Sequence, residues 1–379
     1  MVLKADVEGT AARLRSRMVR ALVRGGTLTD PAWREAFLAV PRHAFLPRYF
    51  RQRSGGWAAV EMGDEEWLTQ IYADRVLVTQ LDGDSSRWSA ARANGPVSGS
   101  PTCSSSMPTI MAVMLEALQV NENHQVLEVG TGTGYNAALL CVRVGSARVS
   151  TIDVDDSLAA PAEQRLASCG FHPACAVLDG VNGFPAGAPY DRVLCTCAVP
   201  RIPLAWLEQT RPGGLIVTTL SRPLGAGLVR ITAGDGATGE GRVLADDGRF
   251  MPLRAPEARE VTWPTSDSVG RTRSTELPPA VVSPTNAFEF FAGLELPDVH
   301  AAGAANCVLL THPDGSWVRH DIDFVTQGGP RRLWDEIEAA HQKWLSLGSP
   351  RRARFGVTVT PTTQNLWLDS PESPHHWPL

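Results

Sequence analysis

The sequence predicts an α/β fold with a doubly wound, mostly parallel sheet, and three observations carry that reading. An apolar run, Gln125 to Val129, breaks into glycines at 130, 132 and 134 and resumes as the helical stretch Asn136 to Val142. A strand, a tight turn and a helix therefore follow one another. From there to Thr219, short β-branched runs alternate with helical ones, which is the pattern of a parallel sheet. Two of those runs end in an acid, Asp153 and Asp179. In such sheets ligands bind beyond the carboxyl ends of the strands, so the glycines and both acids fall at one edge.

Taken in order, the chain opens with Leu14, Met18 and Leu22 spaced every four residues, an amphipathic helix with arginines on its other face. Asp30-Pro-Ala-Trp-Arg-Glu-Ala-Phe-Leu38 begins a second helix, with Asp30 as N-cap and Pro31 in the first turn. Pro41-Arg-His-Ala-Phe-Leu-Pro47 closes it. Residues 82–100 are small, polar and glycine-containing, and read as a loop. Met107 to Leu118 places Ile110, Met111, Met114, Leu115 and Leu118 on one helical face, which puts Ser104, Ser105 and Ser106 at its N-terminus. That end suits a carboxylate ligand, and it equally suits a serine acting only as a cap.

Three glycines at alternate positions let the backbone adopt positive φ and let a ligand approach closely. The spacing is GxGxG and not the GxGxxG of pyrophosphate-binding turns. Read alone, the loop points to a ligand site, with a plain strand-to-helix turn as the lesser alternative. Asp153 falls 23 residues after Gly130, where an acid can hold a ribose diol. Further strands are expected at Ala174 to Asp179, Arg192 to Cys197 and Leu215 to Thr219, with a helix near Pro203 to Thr210 and a turn at Arg211-Pro-Gly-Gly214. Residues 227–244 suggest an antiparallel hairpin at the sheet edge. Pro264 to Thr285 reads as a linker, and Ala287 to Leu379 as a mixed α+β extension with a helix at Leu333 to His341. The divisions are thus an N-terminal helical segment (1–77), a core (78–255), and a linker with an extension that could recognise a peptide (256–379).

Composition excludes several classes. Of 379 residues 43% are hydrophobic, enough for a sizeable core, and no run is long and apolar enough to span a membrane. The N-terminal stretch has no apolar signal region, and seven cysteines fit reduced thiols, so the expected location is cytoplasmic. Cys195 and Cys197 lie within a strand-like run without a second pair, so no metal is expected. The net charge of −5 lacks the basic footprint of a nucleic-acid binder.

Several stretches together resemble the protein-L-isoaspartate O-methyltransferases over roughly Arg34 to Leu253. Val40-Pro-Arg-His-Ala-Phe-Leu-Pro47 is similar to the family's N-terminal signature, and Tyr72-Ala-Asp-Arg-Val-Leu77 to the segment leading into its active site. Ser104-Ser-Ser-Met-Pro-Thr109 stands where the family has Thr-Ile-Ser-Gln-Pro-Tyr. Val126 to Tyr135 is close to its glycine motif, and Leu178-Asp-Gly-Val-Asn-Gly183 to its adenine segment.

The resemblance implies a Rossmann-like class I methyltransferase that uses S-adenosylmethionine to esterify a carboxylate. It assigns Glu128, Gly130, Thr131, Gly132, Gly134, Tyr135, Asp153, Asp179 and Gly180 to the cofactor and Ser106 to catalysis. Ser104 and Ser105 fall to the substrate, with Asp82 as a candidate for orienting its backbone, although a turn is the commoner use of such an aspartate. The added tail is similar to that of homologues tailoring ribosomally made peptides of the graspetide or lanthipeptide kind. The expected reaction is therefore methylation of an aspartate or isoaspartate in a peptide precursor, leading to aspartimide or isoaspartate, with general isoaspartate repair as the alternative. The partner is a peptide or protein, and Arg331, Arg332, Arg351, Arg352 and Arg354 are candidates to attract an acidic one.

Overall fold

The protein, seen in a computed structural model, is described for residues 2–253, 262–265, 267–304 and 306–379. It divides into two compact units. The first comprises Met1–Cys197, Pro203–Thr218 and Thr232–Ala237, and the second Ala198–Ile202, Thr219–Ile231 and Thr238–Leu379. The expected division at 77 does not coincide with this one, because residues on both its sides share the first unit. The one expected at 255 lies outside the described residues.

In the first unit, α1 (Val2–Arg24) and α2 (Pro31–Ala39) form where the apolar spacing places them. Asp30 caps α2, its carboxylate accepting the Ala32 N–H at 2.8 Å. The expectation of a purely helical N-terminal segment is corrected by an antiparallel hairpin of β1 (Arg48–Arg53) and β2 (Gly56–Glu61), followed by α3 (Trp67–Ile71). After β3 (Leu77–Leu81), the stretch read as a loop contains α4 (Ser86–Asn94). Only Ala91 of α4 is buried, so no apolar period announced it. Instead, Arg92 pairs with Asp64 at 2.9 Å, and Arg48 lies 4.8 Å from the Trp88 ring.

The serine segment is also corrected. Ser104 and Ser105 are the last residues of a strand, β4 (Pro101–Ser105), and α5 begins later (Pro108–Ala117) with Met107 at its N-cap. Small polar residues become a strand here because β3 offers them a ladder, with Leu77 opposite Ser105 and Val78 opposite Ser104. The resulting sheet has the order β2-β1-β3-β4.

The parallel sheet follows the sequence reading closely. It is built from β5 (Val126–Val129), α6 (Tyr135–Val144), β6 (Val149–Asp153), α7 (Asp156–Ser168), β7 (Ala174–Val177) and β8 (Tyr190–Val199). The strands stand in the order β7-β6-β5-β8, all parallel. The chain runs outward from β5 through β7 and then returns to the other side of β5. That leaves a topological switch point between β5 and β8, where such sheets open a crevice. The short α8 (Leu204–Glu208) leads to β9 (Thr210–Ser221), which takes in the expected turn at Arg211 to Gly214.

The expected hairpin is formed by β10 (Ala226–Ala233) and β11 (Gly239–Val243), with residues 226–231 and 239–243 in the second unit and 232–237 in the first. The linker reading is corrected by β12 (Arg271–Ser274), which pairs with a later strand across the stretch Arg271 to Ser274. Then come α9 (Phe288–Glu295), β13 (His300–Ala304), β14 (Cys307–Thr311), β15 (Trp317–Asp321), β16 (Phe324–Gly328) and α10 (Leu333–Ser346). The chain ends with β17 (Phe355–Val359), β18 (Gln364–Leu368) and β19 (His376–Pro378). An antiparallel ladder runs β11-β17-β18-β19, and a five-stranded antiparallel sheet runs β12-β16-β15-β14-β13. Aromatic packing fills this core, with Phe290 and Phe355 centroids 5.2 Å apart and Phe291 and Trp377 5.7 Å apart.

Candidate active site

The glycine loop takes the conformation its spacing predicts, with φ of +99° at Gly130, +52° at Gly132 and +87° at Gly134. Gly130 also tolerates no side chain. A Cβ there would stand 2.8 Å from Thr196 Oγ1 and 3.1 Å from Cys197 Sγ, both on β8 across the switch point. Thr196 holds that approach, its hydroxyl donating to the Gly130 carbonyl at 3.0 Å.

Asp153, at the end of β6, steadies the loop while facing the same edge. One carboxylate oxygen accepts the Gly132 N–H at 2.9 Å and the other accepts the Asp155 N–H at 3.1 Å. At the end of its strand the carboxylate stands where a ribose diol is held in such sheets. The Leu178 N–H donates to the Asp153 carbonyl at 2.9 Å, which brings exposed Asp179 to the same edge. Gly180 is buried there, its carbonyl accepting the Trp206 indole N–H at 2.7 Å. These residues fit an adenosyl cofactor: a loop with room for close approach, and two acids at neighbouring strand ends.

Three residues assigned to the cofactor instead support the loop from behind. Glu128 is fully buried, one carboxylate oxygen accepting from Asn136 Nδ2 at 2.7 Å and the other from the Thr151 hydroxyl at 2.6 Å. Burial pushes its pKa up to about 7, against the pull of those two hydrogen bonds. Thr131 meets Thr151 oxygen to oxygen at 2.7 Å and joins the same network. Tyr135 turns away from the crevice, its ring centroid 6.4 Å from Phe37 and 6.0 Å from Phe45. A motif position does not disclose which side of the loop a side chain occupies.

On the acceptor side, β4 alternates. Ser105 is buried, while Ser104 and Ser106 are half-exposed on the other face. The strand adjoins the glycine loop through its buried face and its backbone: a Cβ on Gly132 would stand 3.5 Å from Cys103 Sγ and 3.8 Å from the Ser104 carbonyl. The Ser106 hydroxyl has no hydrogen-bond partner among the described residues. Its backbone, by contrast, is gripped by Arg42, which sequence reasoning missed. This fully buried guanidinium donates to the Ser106 carbonyl at 2.9 Å, the Ser105 hydroxyl at 3.2 Å and the Ile71 carbonyl at 2.6 Å. Burial lowers its pKa from the usual arginine value.

The signature Pro41 to Pro47 is thus a clasp. Beside Arg42, His43 Nδ1 meets the Tyr72 hydroxyl at 2.8 Å, and the Leu46 carbonyl accepts the Trp67 indole N–H at 2.9 Å. Asp74 lies just beyond, and it corrects the expected anion site at the α5 N-terminus. Its carboxylate accepts the Thr109 N–H at 2.9 Å and the Thr109 hydroxyl at 2.6 Å, so the chain supplies its own carboxylate there.

Asp82 is not brought to the loop by any described contact. Its backbone sits at φ +54°, its carboxylate accepts the Ser100 N–H at 2.8 Å, and Arg87 pairs with it at 3.0 Å, the pattern of a turn aspartate. The tail arginines are also engaged internally. Arg331 pairs with Glu336, Arg352 with Asp247 at 2.6 Å and Arg354 with Asp369 at 2.7 Å, while Arg332 donates to the Gly329 carbonyl at 3.3 Å. For Arg351 the structure shows nothing that bears on a role.

A parallel sheet with a glycine loop at its switch point, acids at the next two strand ends and a hydroxyl strand facing the loop define a class I methyltransferase. Comparison with known proteins gives the family. The profile of Protein-L-isoaspartate(D-aspartate) O-methyltransferase (PCMT) matches residues 89–239. A protein-L-isoaspartate O-methyltransferase from Methanosarcina mazei is 31% identical over 216 residues, 56% of this chain and 73% of its own length. Another from Maricaulis maris is 33% identical over 247 residues, 64% of this chain and 96% of its own. The chain belongs to the protein-L-isoaspartate O-methyltransferase family, whose members are S-adenosylmethionine-dependent carboxyl O-methyltransferases. A solved protein-L-isoaspartate O-methyltransferase, 20% identical, shares the fold with a TM-score of 0.54 over 94% of this chain and 100% of its own. Among the described residues no helix is long and apolar enough to cross a membrane.

Proposed function

We propose that this chain methylates the side-chain carboxylate of isoaspartyl residues in proteins or peptides, the first step of their repair. The observation that carries it is the Ser106 hydroxyl, which has no hydrogen-bond partner among the described residues and stands just past β4, the strand beside the glycine loop. Gly130, Gly132, Asp153 and Asp179 would hold S-adenosylmethionine, which when bound supplies a methyl on a positively charged sulfur. The acceptor oxygen forms its bond to that methyl as the sulfur–methyl bond breaks, and the sulfur keeps the electron pair. A free carboxylate with a pKa of about 4 is already ionised at neutral pH, so no base is required. What this chain must do is align the carboxylate and exclude water. Ser106 would donate a hydrogen bond to the acceptor, Arg42 would fix where that hydroxyl stands, and Ser104 would border the approach.

Mass spectrometry of an isoaspartyl peptide and its aspartyl counterpart, each with S-adenosylmethionine, tests the reading. The isoaspartyl peptide should gain one methyl and then lose methanol as it closes to the imide, and no methylation of either would overturn it. A second reading is favoured by the unit lying mostly beyond residues 89–239. There the acceptor is an aspartate of a modified ribosomal peptide precursor. Methylation of a constrained aspartyl peptide alone would select it. The relatives at 31% and 33% identity, both of which carry the isoaspartate name, favour the first reading. We place the reaction in the cytoplasm, supported by seven cysteines, none of which forms a disulfide.

A further inference from the structure

The second unit contains a cavity of about 440 Å³ whose floor is a single row across the five-stranded sheet. His300 on β13 stands opposite Thr311 on β14, Thr311 opposite Trp317 on β15, and Trp317 opposite Gly328 on β16. Residues paired in this way share a face. A Cβ on Gly328 would stand 2.7 Å from Trp317 Nε1, and one on Gly270 would stand 2.9 Å from the Trp317 ring. The two glycines thus let the indole lie down over the neighbouring strands. A second indole, Trp263, forms a wall. Its segment is strapped to the sheet by the Thr311 hydroxyl donating to the Thr262 carbonyl at 2.9 Å and by Arg319 donating to the Thr265 carbonyl at 3.2 Å.

Charge selects the occupant. No lysine or arginine lines the cavity; its one carboxylate is Asp298, exposed and two residues before His300, and its second imidazole, His312, stands 3.0 Å from the Asp314 carboxylate. Burial lowers the pKa of His300, which leaves that ring neutral at pH 7. Indole faces attract cations, and a carboxylate beside them does so more strongly. We propose that this cavity binds an organic ammonium group, carried by a lysine side chain or by a free peptide N-terminus. It is a polypeptide-binding site separate in chemistry from methyl transfer.

The test uses the full chain labelled with ¹⁵N-tryptophan, with the Trp317 and Trp263 indole signals identified from Trp317→Phe and Trp263→Phe. Three probes are titrated: Nα-acetyl-lysine methylamide, its Nε-acetylated neutral form, and alanyl-alanine methylamide with a free amine. At least one charged probe should shift both indole signals saturably, with the neutral probe weaker by about tenfold or more. Whichever charged probe binds more tightly identifies the source. Asp298→Asn should weaken that binding by about tenfold while the remaining indole signals stay in place. Asparagine suits this position because Asp298 sits at φ +63°, which it tolerates well. Equal binding of the neutral probe, an unaltered affinity in Asp298→Asn, or no shift at these two indoles would each overturn the proposal. Binding is read directly, so failure of the isoaspartyl assay leaves the result intact.

Discussion

The two sides of the candidate active site are built in opposite ways. The loop beside β5 is short-range: its glycines, the acid at the end of β6 and the Glu128–Thr151–Thr131 network all lie within 30 residues of one another. The serine strand is long-range, since Ser106 is positioned by a guanidinium from residue 42 and bordered by a helix capped from residue 74. One side is rigid through conformations only glycine tolerates. The other is rigid through a buried charge whose donors hold two carbonyls and the Ser105 hydroxyl, which leaves the Ser106 hydroxyl available.

Gly130→Ala should break the loop side most severely. The new Cβ would meet Thr196 Oγ1 at 2.8 Å on a backbone at φ +99°, and strain of that kind costs on the order of 1–3 kcal/mol before any ligand is considered. Titration calorimetry should show S-adenosylmethionine affinity falling by about a hundredfold or more. Retained affinity would mean that the loop does not need its close approach to β8.

Arg42→Met should break the acceptor side alone. Removing a charged donor from the Ile71 and Ser106 carbonyls costs about 2–4 kcal/mol in denaturant unfolding. The turnover of isoaspartyl peptide should fall while cofactor affinity stays within about threefold, and Arg42→Lys should restore part of it. Equal loss of cofactor affinity would erase the distinction between the sides.

Glu128→Gln sharpens the comparison through pH. The folded pKa is raised from 4.5 to about 7, so the group favours folding below its unfolded value and that contribution is lost as pH rises through 7. The wild type should therefore lose up to about 3 kcal/mol between pH 4 and pH 8 through this residue. Relative to it, Glu128→Gln should gain stability across that range, and parallel curves for the two proteins would contradict the burial argument.

The smallest effect is expected from Ser106→Ala. With no partner to lose, stability should change by less than about 0.5 kcal/mol, while kcat/KM falls by about tenfold, one hydrogen bond to the acceptor. A large stability loss would assign the hydroxyl a structural task.

How legible each side was in the sequence follows from the same contrast. That Gly130 to Gly134, Asp153 and Asp179 share one sheet edge is legible because strand, turn and acid recur at fixed local spacing. The side on which Glu128 and Tyr135 lie was not found, since burial depends on what packs against the loop. Ser104 and Ser105 read as the start of a helix because their strand character comes only from Leu77 and Val78 opposite them. Arg42 stood inside a recognised signature, yet nothing local says that its partner is 64 residues away. Likewise α4 and β12 are held by ion pairs and ladder bonds, neither of which leaves a periodic trace.

The cap that Asp74 places on α5 has a further consequence for turnover. With the Thr109 amide at the start of that helix already matched by a carboxylate and Arg42 committed to carbonyls and the Ser105 hydroxyl, an incoming acceptor in the proposed reaction meets neutral hydroxyls and not full positive charge. An anion clamped by cations would rest in a deep well and react slowly from it. The methyl ester, having lost that charge, would gain no special hold on the site and depart as readily as the acid arrived.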